Sequence, residues 1–213
     1  MICVSLAEKT TANVIAALSA FSFAEIRLDA VEDLTESGLR AIFAGHSRLI
    51  ATHRPGRVPE PARIGRLLAA VEAGAAFVDV EIETEGGDLR TLAGAARARG
   101  CRVIVSYHND RETPSRDILE DIRSRAFAAG ADLVKIACLS RGPGDNARLL
   151  GLLDHPRPTI VIGMGSMGRI TRLAAPLLGA PFTYASPAEG KATAAGQPDI
   201  DFIRRHWEAW KNV

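Results

Sequence analysis

Two hydrophobic patterns alternate along this chain. Short apolar runs rich in β-branched residues are separated by longer stretches, rich in Ala, Leu and Arg, in which apolar positions recur with the helical period. The predicted strands are 2–6, 24–29, 48–53, 77–83, 102–108, 132–138, 159–164 and 181–186. The predicted helices are 10–21, 34–43, 62–73, 88–99, 115–129, 146–153, 167–178 and 200–210, the last with Asp199 as its N-cap.

Eight strands that alternate with helices define the predicted fold class. Such an order favours a closed (β/α)8 barrel over an open doubly wound sheet. The 213 residues lie near the lower limit of about 200 residues for that barrel, so the loops must be short. No linker, low-complexity tract or internal repeat suggests a second domain. We therefore predict an α/β protein with a single (β/α)8 TIM barrel over residues 1–213.

The predicted strand 132–138 carries one charged residue in the middle of an apolar run. Lys135 shares a face with Leu133 and Ala137, and the opposite face is also apolar. A buried ammonium group costs roughly several kcal/mol unless it is paired or loses its proton. An uncharged amine is a nucleophile that can form a Schiff base with a carbonyl substrate. The alternatives are a lysine that reaches the rim of the sheet and one held in a structural ion pair.

Two further strands alternate apolar with charged residues. The charged sets are Glu25, Arg27 and Asp29 in strand 24–29, and Asp79, Glu81 and Glu83 in strand 77–83. Because helices cover the outside of a barrel, the apolar sets should face them and the charged sets should face the interior. Charges buried there either form a structural network or line a polar substrate site. We favour the network for Asp79 and Glu81 and the substrate site for Glu25 and Arg27.

Two strand ends carry side chains suited to binding or catalysis. Arg54 follows strand 48–53, where its guanidinium suits a substrate carboxylate or a hydroxyl cluster, with an exposed loop arginine as the alternative. His108 ends strand 102–108, one strand away from Lys135. An imidazole beside an amine can accept and return protons near neutral pH, so we predict a general acid/base, with a structural histidine as the alternative.

The segment 163–168 contains the pattern G-x-G-x-x-G, and Glu189 follows about 20 residues later, as in a dinucleotide-binding fingerprint. We reject the fingerprint because its acidic residue belongs on the next strand, whereas Glu189 falls in the loop after strand 181–186. A turn and helix N-terminus that bind an anion are the better interpretation, with Arg172 in the first turns of the helix adding positive charge.

The segment 188–198 consists mostly of small residues, which would let it close over a ligand. Thr193 and Gln197 supply polar side chains for such a ligand, and a disordered surface loop is the alternative.

Composition excludes several classes of partner. Lys and Arg number 26 against 25 Asp and Glu, a formal charge of +1, so neither nucleic acid nor an anionic membrane is favoured as a partner. Cys3, Cys101 and Cys138 have no metal-ligand or redox spacing and are predicted to be reduced thiols of a cytoplasmic protein. No basic segment precedes the N-terminal apolar residues, and no apolar run approaches membrane-spanning length.

Several ordered motifs together resemble one known family, and they extend over nearly the whole chain. The motifs are VSL at 4–6, EIRLD at 25–29, THR at 52–54, VSYH at 105–108, LVKIA at 133–137, GSMG at 165–168 with TR at 171–172, and KATAAGQ at 191–197. They resemble the type I 3-dehydroquinate dehydratases.

The resemblance implies a (β/α)8 barrel that dehydrates 3-dehydroquinate to 3-dehydroshikimate in the shikimate pathway, without metal or cofactor and usually as a homodimer. It implies that Lys135 forms the imine with the substrate ketone and that His108 removes the proton from the adjacent carbon, then protonates the departing hydroxyl. Arg172 would bind the carboxylate. The remaining substrate contacts would come from Ser5, Glu25, Arg27, Arg54, Thr193 and Gln197.

Three positions depart from the family pattern. Relatives carry a glutamate four residues after the strand-three arginine, thought to orient the catalytic histidine, whereas this chain has Val58 there. Glu60 is the candidate replacement for that glutamate. Asn109 stands where an aspartate is common, and Thr193 replaces the more usual serine while keeping the hydroxyl.

Two other functions remain open at this stage. One is a Schiff-base aldolase on the same barrel, whose substrates are often phosphorylated. The other is a barrel that binds a small acid without catalysis. The set of arginines fits a quinate-like acid better than a phosphorylated aldolase substrate.

Overall fold

The computed structural model describes residues 1–211. Its eight strands are β1 (Ile2–Leu6), β2 (Ala24–Arg27), β3 (Leu49–Thr52), β4 (Phe77–Glu81), β5 (Arg102–Asn109), β6 (Leu133–Leu139), β7 (Thr159–Met164) and β8 (Thr183–Ala185). Its α-helices are α1 (Thr11–Leu18), α2 (Glu36–Phe43), α3 (Glu60–Glu72), α4 (Gly86–Ala98), α5 (Arg116–Ala128), α6 (Pro143–Gly151), α7 (Gly165–Ala174) and α8 (Ile200–Lys211). Two short 3-10 segments, Leu28–Ala30 and Ala175–Leu178, follow β2 and α7.

The strands form one sheet in the order β7-β6-β5-β4-β3-β2-β1-β8. Consecutive strands are neighbours, and β1 also lies next to β8. The pairs β1 with β8, β2 with β3, β3 with β4 and β6 with β7 are all parallel. This order, with a helix after every strand, is that of a (β/α)8 barrel, so the predicted fold class is confirmed. Among residues 1–211, no helix combines the length and the apolar character needed to cross a membrane.

The chain divides into two compact units, which we describe separately. The first contains Met1–Ser5, Ser106–Phe127 and the chain from Leu133 onwards; the second contains Leu6–Val105 and Ala128–Asp132. In the first unit, β6 and β7 pair over six residue positions, and all of β7 and all of β6 except Leu139 are buried. In the second unit, β3 is entirely buried between β2 and β4. Apolar runs buried on both faces are typical of parallel strands.

The first unit contains a strand and a helix in very close contact. A Cβ atom added at Gly168 in α7 would lie 2.2 Å from the backbone carbon of Gly163 in β7. Thr171 bridges the same two glycines, since its Oγ1 donates to the Gly168 carbonyl and accepts from the Gly163 amide, both at 2.7 Å. Gly163 and Gly168, the first and last glycines of the G-x-G-x-x-G pattern, therefore serve helix-to-strand packing.

Several predicted boundaries were wrong for identifiable reasons. The strand predicted at 24–29 ends at Arg27, because Asp29 turns back within a 3-10 segment to bind the Arg27 guanidinium. The strand predicted at 77–83 ends at Glu81, where a turn begins, and the third predicted inward carboxylate, Glu83, is exposed.

Four helices, α3, α4, α6 and α7, begin earlier than predicted, and in two of them a proline lies in the first helical turn. Helix α3 begins at Glu60, with Pro61 in that turn, and α6 begins at Pro143. A proline in a first turn favours a helix start, because the amide it lacks would have no helical partner there. The predicted cap of α8 is confirmed, since the Phe202 amide donates to the Asp199 carboxylate at 2.7 Å.

Candidate active site

Lys135 occupies the middle of β6, as predicted, and only 3% of the residue is exposed. In the sheet, Lys135 pairs with Ile160 of β7. Its Nζ lies 4.7 Å from the centre of the Tyr184 ring in β8. This lysine is therefore held within the first unit, and the alternative of an amine at the rim of the sheet is not supported.

His108 lies near the end of β5, the strand next to β6 in the sheet. It is partly exposed, unlike the fully buried Ser106 on the same strand. The following residue, Asn109, accepts from the amides of Arg111 and Glu112 and so fixes the turn after β5. The first unit thus carries a buried amine and a more accessible imidazole on adjacent strands.

Arg172 lies in the last turn of α7, so our placement in the first turns of this helix was wrong. The helix begins at Gly165, where a backbone φ of +79° turns the chain out of β7, two residues before the predicted start. Arg172 is 1% exposed, and its Nη1 donates to the carbonyl oxygen of Tyr184 at 3.1 Å. The residue is accordingly a buried cation rather than a charge at a helix N-terminus.

The segment after β8 is fixed by its own hydrogen bonds. Both the amide and the hydroxyl of Thr193 donate to the Gln197 side-chain oxygen, at 2.7 and 3.1 Å. The Gln197 amide group donates to the hydroxyl of Ser5 in β1 at 3.4 Å. The Gly165 amide donates to the Ala195 carbonyl at 3.0 Å. The first unit therefore brings three predicted substrate-binding residues, Ser5, Thr193 and Gln197, into one hydrogen-bonded group.

The remaining predicted site residues, Glu25, Arg27 and Arg54, belong to the second unit. Glu25 is buried and accepts from the Thr52 hydroxyl at 2.9 Å. Arg27 donates two hydrogen bonds, at 2.8 and 3.0 Å, to the Asp29 carboxylate. Burial works against charge in this pair, but the mutual hydrogen bonds and attraction outweigh it, raising the pKa of Arg27 and lowering the pKa of Asp29.

Arg54 lies just beyond β3 and is surrounded by carboxylates. Its Nη1 donates to Glu81 in β4 at 2.7 Å, and its backbone amide donates to Asp29 at 3.3 Å. Burial works to lower the pKa of this guanidinium, but neighbouring negative charges outweigh it and raise the pKa. In order of effect, these charges are Asp79, Glu81 and Glu25. Glu81 therefore belongs to an ion-pair network, as favoured from the sequence.

Arg63 of α3 is a central member of that network, although no feature of the sequence pattern singled it out. Its guanidinium is 1% exposed and binds the second oxygen of Glu81 at 2.9 Å. It also donates to the Thr84 hydroxyl and to the His53 carbonyl. Two further bonds, of 2.6 and 2.9 Å, go to the carboxylate of Glu60. Glu60, the candidate replacement for the family glutamate, is therefore an ion-pair partner of Arg63.

His53, the residue before Arg54, contacts the backbone carbonyl of Arg54 through its ring. Arg66 has only donors, so its Nη1, 3.1 Å away, donates to Nε2 of His53. The proton of the neutral ring must then lie on Nδ1, which donates to the Arg54 carbonyl at 3.0 Å. Burial lowers the pKa of His53, and the positive charges of Arg66 and Arg63 act in the same direction. The network therefore contains a neutral histidine.

The cysteines offer no competing nucleophile. All three are buried, and burial raises the pKa of Cys101 and of Cys138 to about 12, so these two remain protonated near neutral pH. Within residues 1–211, no group of three or more His, Cys, Asp or Glu side chains is arranged to hold a metal ion.

A parallel βα fold with a buried lysine in mid-strand is typical of barrel enzymes that act through an amine. Comparison with known proteins identifies the family: the model of the type I 3-dehydroquinases matches residues 2–211. The chain belongs to this family, whose members are hydro-lyases.

Individual relatives agree with the family assignment. The chain is 37% identical over 216 residues to the 3-dehydroquinate dehydratase of Methanothermobacter thermautotrophicus, with 96% of this chain and 94% of that protein covered. Its structure is similar to that of the Geobacillus kaustophilus 3-dehydroquinate dehydratase, with a TM-score of 0.86, 25% identity, and coverage of 99% and 91% of the two chains. The Aquifex aeolicus 3-dehydroquinate dehydratase gives a TM-score of 0.84 at 25% identity, with both chains fully covered.

Proposed function

We propose that this chain converts 3-dehydroquinate to 3-dehydroshikimate and water by way of a Schiff base on Lys135. The observation that carries the proposal is the burial of this single amine in the middle of β6, in a chain of the type I 3-dehydroquinase family. Membership of that family favours dehydration over the aldolase reaction and over a barrel that only binds an acid.

The proposed reaction begins at the Lys135 amine. The amine adds to the substrate ketone, and the resulting carbinolamine loses water to give an iminium ion. The iminium withdraws electrons from the neighbouring C–H bond, so a base as weak as the imidazole of His108 can remove that proton and form an enamine. The enamine electrons then expel the hydroxyl group on the next carbon, which leaves as water with the proton from His108. A second water hydrolyses the iminium, which releases the unsaturated ketone and restores the amine.

Substrate binding in the first unit is assigned to Arg172 and to the Ser5, Thr193 and Gln197 group. A buried guanidinium is suited to the substrate carboxylate, because it presents several donors at fixed angles. The linked hydroxyl and amide groups are suited to the substrate hydroxyls. For Glu25, Arg27 and Arg54 of the second unit, the assignment as substrate contacts rests on the resemblance of their motifs to those of the family.

The remaining properties follow the resemblance. We propose that residues 1–213 act as one catalytic domain in a cytoplasmic homodimer. The amine and imidazole account for every proton transfer and covalent step above, so we propose that no metal or cofactor takes part.

The proposal is tested by incubating the purified chain with 3-dehydroquinate and following the ultraviolet absorbance of the conjugated product. We expect steady turnover by the wild type and no turnover by Lys135→Met. His108→Asn should lower the turnover about 10²- to 10⁴-fold, the usual contribution of a general acid/base. Lys9→Met is the matched control, since this lysine side chain is 80% exposed. Unchanged turnover by Lys135→Met would refute the proposed mechanism.

A further inference from the structure

One side chain of β8 contacts the proposed reactive amine, and no motif singled it out. The ring of Tyr184 lies 4.7 Å from Nζ of Lys135, measured to the ring centre. Both residues are only 3% exposed, so the amine and the ring lie in an environment from which water is largely excluded. The two residues belong to the same compact unit.

The ring is held in place by its neighbours. Phe182, two residues earlier and also buried, packs its ring against that of Tyr184 at 5.5 Å and 60°, an edge-to-face arrangement. The backbone of Tyr184 is fixed by parallel pairing with Cys3 of β1. The Tyr184 carbonyl also accepts from Arg172, the proposed carboxylate ligand. A single residue therefore contacts the side chains proposed to bind the two ends of the substrate.

The electrostatics of an aromatic face favour a particular reaction state. The face of the ring carries negative charge and attracts a cation, and the attraction grows when water is excluded. In the proposed cycle, the nitrogen of Lys135 is cationic as the protonated imine and uncharged as the free imine. Only the protonated imine activates the adjacent C–H bond strongly, because the positive nitrogen draws in the electrons released with the proton.

We propose that Tyr184 is a positioning residue that keeps the Lys135 imine protonated through the face of its ring. This inference rests on the proposed Schiff-base function and adds to it a residue on β8. The ring keeps the imine charged to higher pH than an aliphatic side chain would, so its contribution should appear on the alkaline side of the kcat–pH profile.

The test compares Tyr184→Leu with Tyr184→Phe. Loss of the ring should remove about 2 kcal/mol of cation stabilisation and move the alkaline limb about 1.5 pH units towards acid, so that above the limb turnover falls about thirty-fold. Tyr184→Phe keeps the ring face, so its limb should stay within about 0.3 units of the wild type. Both variants retain the backbone carbonyl that binds Arg172, so KM should change by less than about threefold.

Neighbouring elements of this unit carry other titratable or charged side chains: His108 of β5, Cys3 of β1 and Arg172 of α7. These side chains are the same in every variant, so their effects on the alkaline limb cancel in the comparison. An unshifted limb in Tyr184→Leu would overturn the inference, and so would an equal shift in Tyr184→Phe, which would assign the effect to the hydroxyl. If Tyr184→Leu does not fold, Tyr184→Met supplies a flexible apolar side chain of similar length and carries the same expectation. Reductive trapping of the imine in the wild type tests the proposed function separately.

Discussion

Arg54 and Glu81 form an ion pair of 2.7 Å, and Arg63 binds the other oxygen of the same carboxylate at 2.9 Å. One carboxylate is thus shared by two guanidinium groups, of which that of Arg63 is almost completely buried. Desolvated charges of this kind are stable only while each has its partners. The orientation of the Arg54 side chain therefore depends on Arg63 of α3, which lies nine residues later in the sequence.

Replacing Glu81 by Gln should destabilise the protein markedly. The amide keeps the shape of the side chain but leaves Arg54 and Arg63 without their shared negative charge, which should lower the free energy of unfolding by about 3 kcal/mol. Chemical denaturation followed by circular dichroism measures the change. Asp121→Asn is the control, because its 3.4 Å pair with Arg125 is well exposed and should contribute less than about 1 kcal/mol. Equal effects of the two variants would show that burial does not matter for this network.

His53 should make stability depend on pH in a predictable direction. Burial lowers the pKa of His53 in the folded protein, whereas in the unfolded chain the pKa has its ordinary value near 6.5. As pH falls below that value, the unfolded state binds a proton that the folded state does not, so stability falls until the folded pKa is reached. His53→Asn keeps a donor for the Arg54 carbonyl and removes the titration, so its stability should decline less as the pH falls below about 6.5. Parallel stability curves for the two proteins would contradict the assignment.

Alanine should have opposite effects at Gly168, which lies in the contact between β7 and α7, and at Gly94, which lies in open space. Gly168→Ala would place a methyl group 2.2 Å from the backbone of Gly163, so we expect a loss of at least about 2 kcal/mol in the free energy of unfolding. Gly94→Ala in α4 has no heavy atom within 4 Å of the new methyl group and should stabilise the protein by about 0.5–1 kcal/mol through helix propensity. Thermal unfolding of both variants measures these changes in stability. A stable Gly168→Ala protein would mean that α7 is not packed as described.

The conformation of the segment that carries Thr193 and Gln197 should depend on Gly196. A Cβ added there would lie 2.2 Å from the carbonyl oxygen of Gly165, and the backbone φ of +71° is itself unfavourable for alanine. We therefore expect Gly196→Ala to raise KM for 3-dehydroquinate at least about tenfold, the equivalent of about 1.4 kcal/mol of lost binding.

Gly190→Ala separates the steric effect from the backbone effect. Gly190 has a similar φ of +77°, but its Cβ would have no neighbour within 4 Å, so only the strain remains. Its KM should stay within about threefold of the wild type. If both variants raised KM equally, the contact with Gly165 would have no role in binding.

The sequence predicted the strands better than the roles of individual charges. The bounds of β1 and β7 are as predicted, because an apolar run flanked by turns specifies a buried strand directly. The burial of Lys135 followed from the same pattern. In contrast, Arg172 was misplaced because the start of α7 depends on a left-handed glycine, Gly165, which the helical period does not reveal.

Two residues of the site escaped prediction for different reasons. Arg63 lies on an amphipathic helix, where a charged side chain usually faces solvent, and its burial depends on partners from β4 and the segment after β3. Tyr184 lies in a short apolar strand, where an aromatic residue is ordinarily part of the core. Only the three-dimensional contact with Lys135 distinguishes it.

The formation of the imine on Lys135 is tested most directly by reduction with borohydride during turnover, followed by peptide mass spectrometry. The sequence contains four lysines, and Lys9, Lys191 and Lys211 serve as internal controls. We predict that a substrate-derived mass adduct appears on the peptide containing Lys135, requires 3-dehydroquinate, and is accompanied by irreversible loss of activity. Continued dehydration with Lys135 unmodified, or an adduct confined to another lysine, would contradict the mechanism.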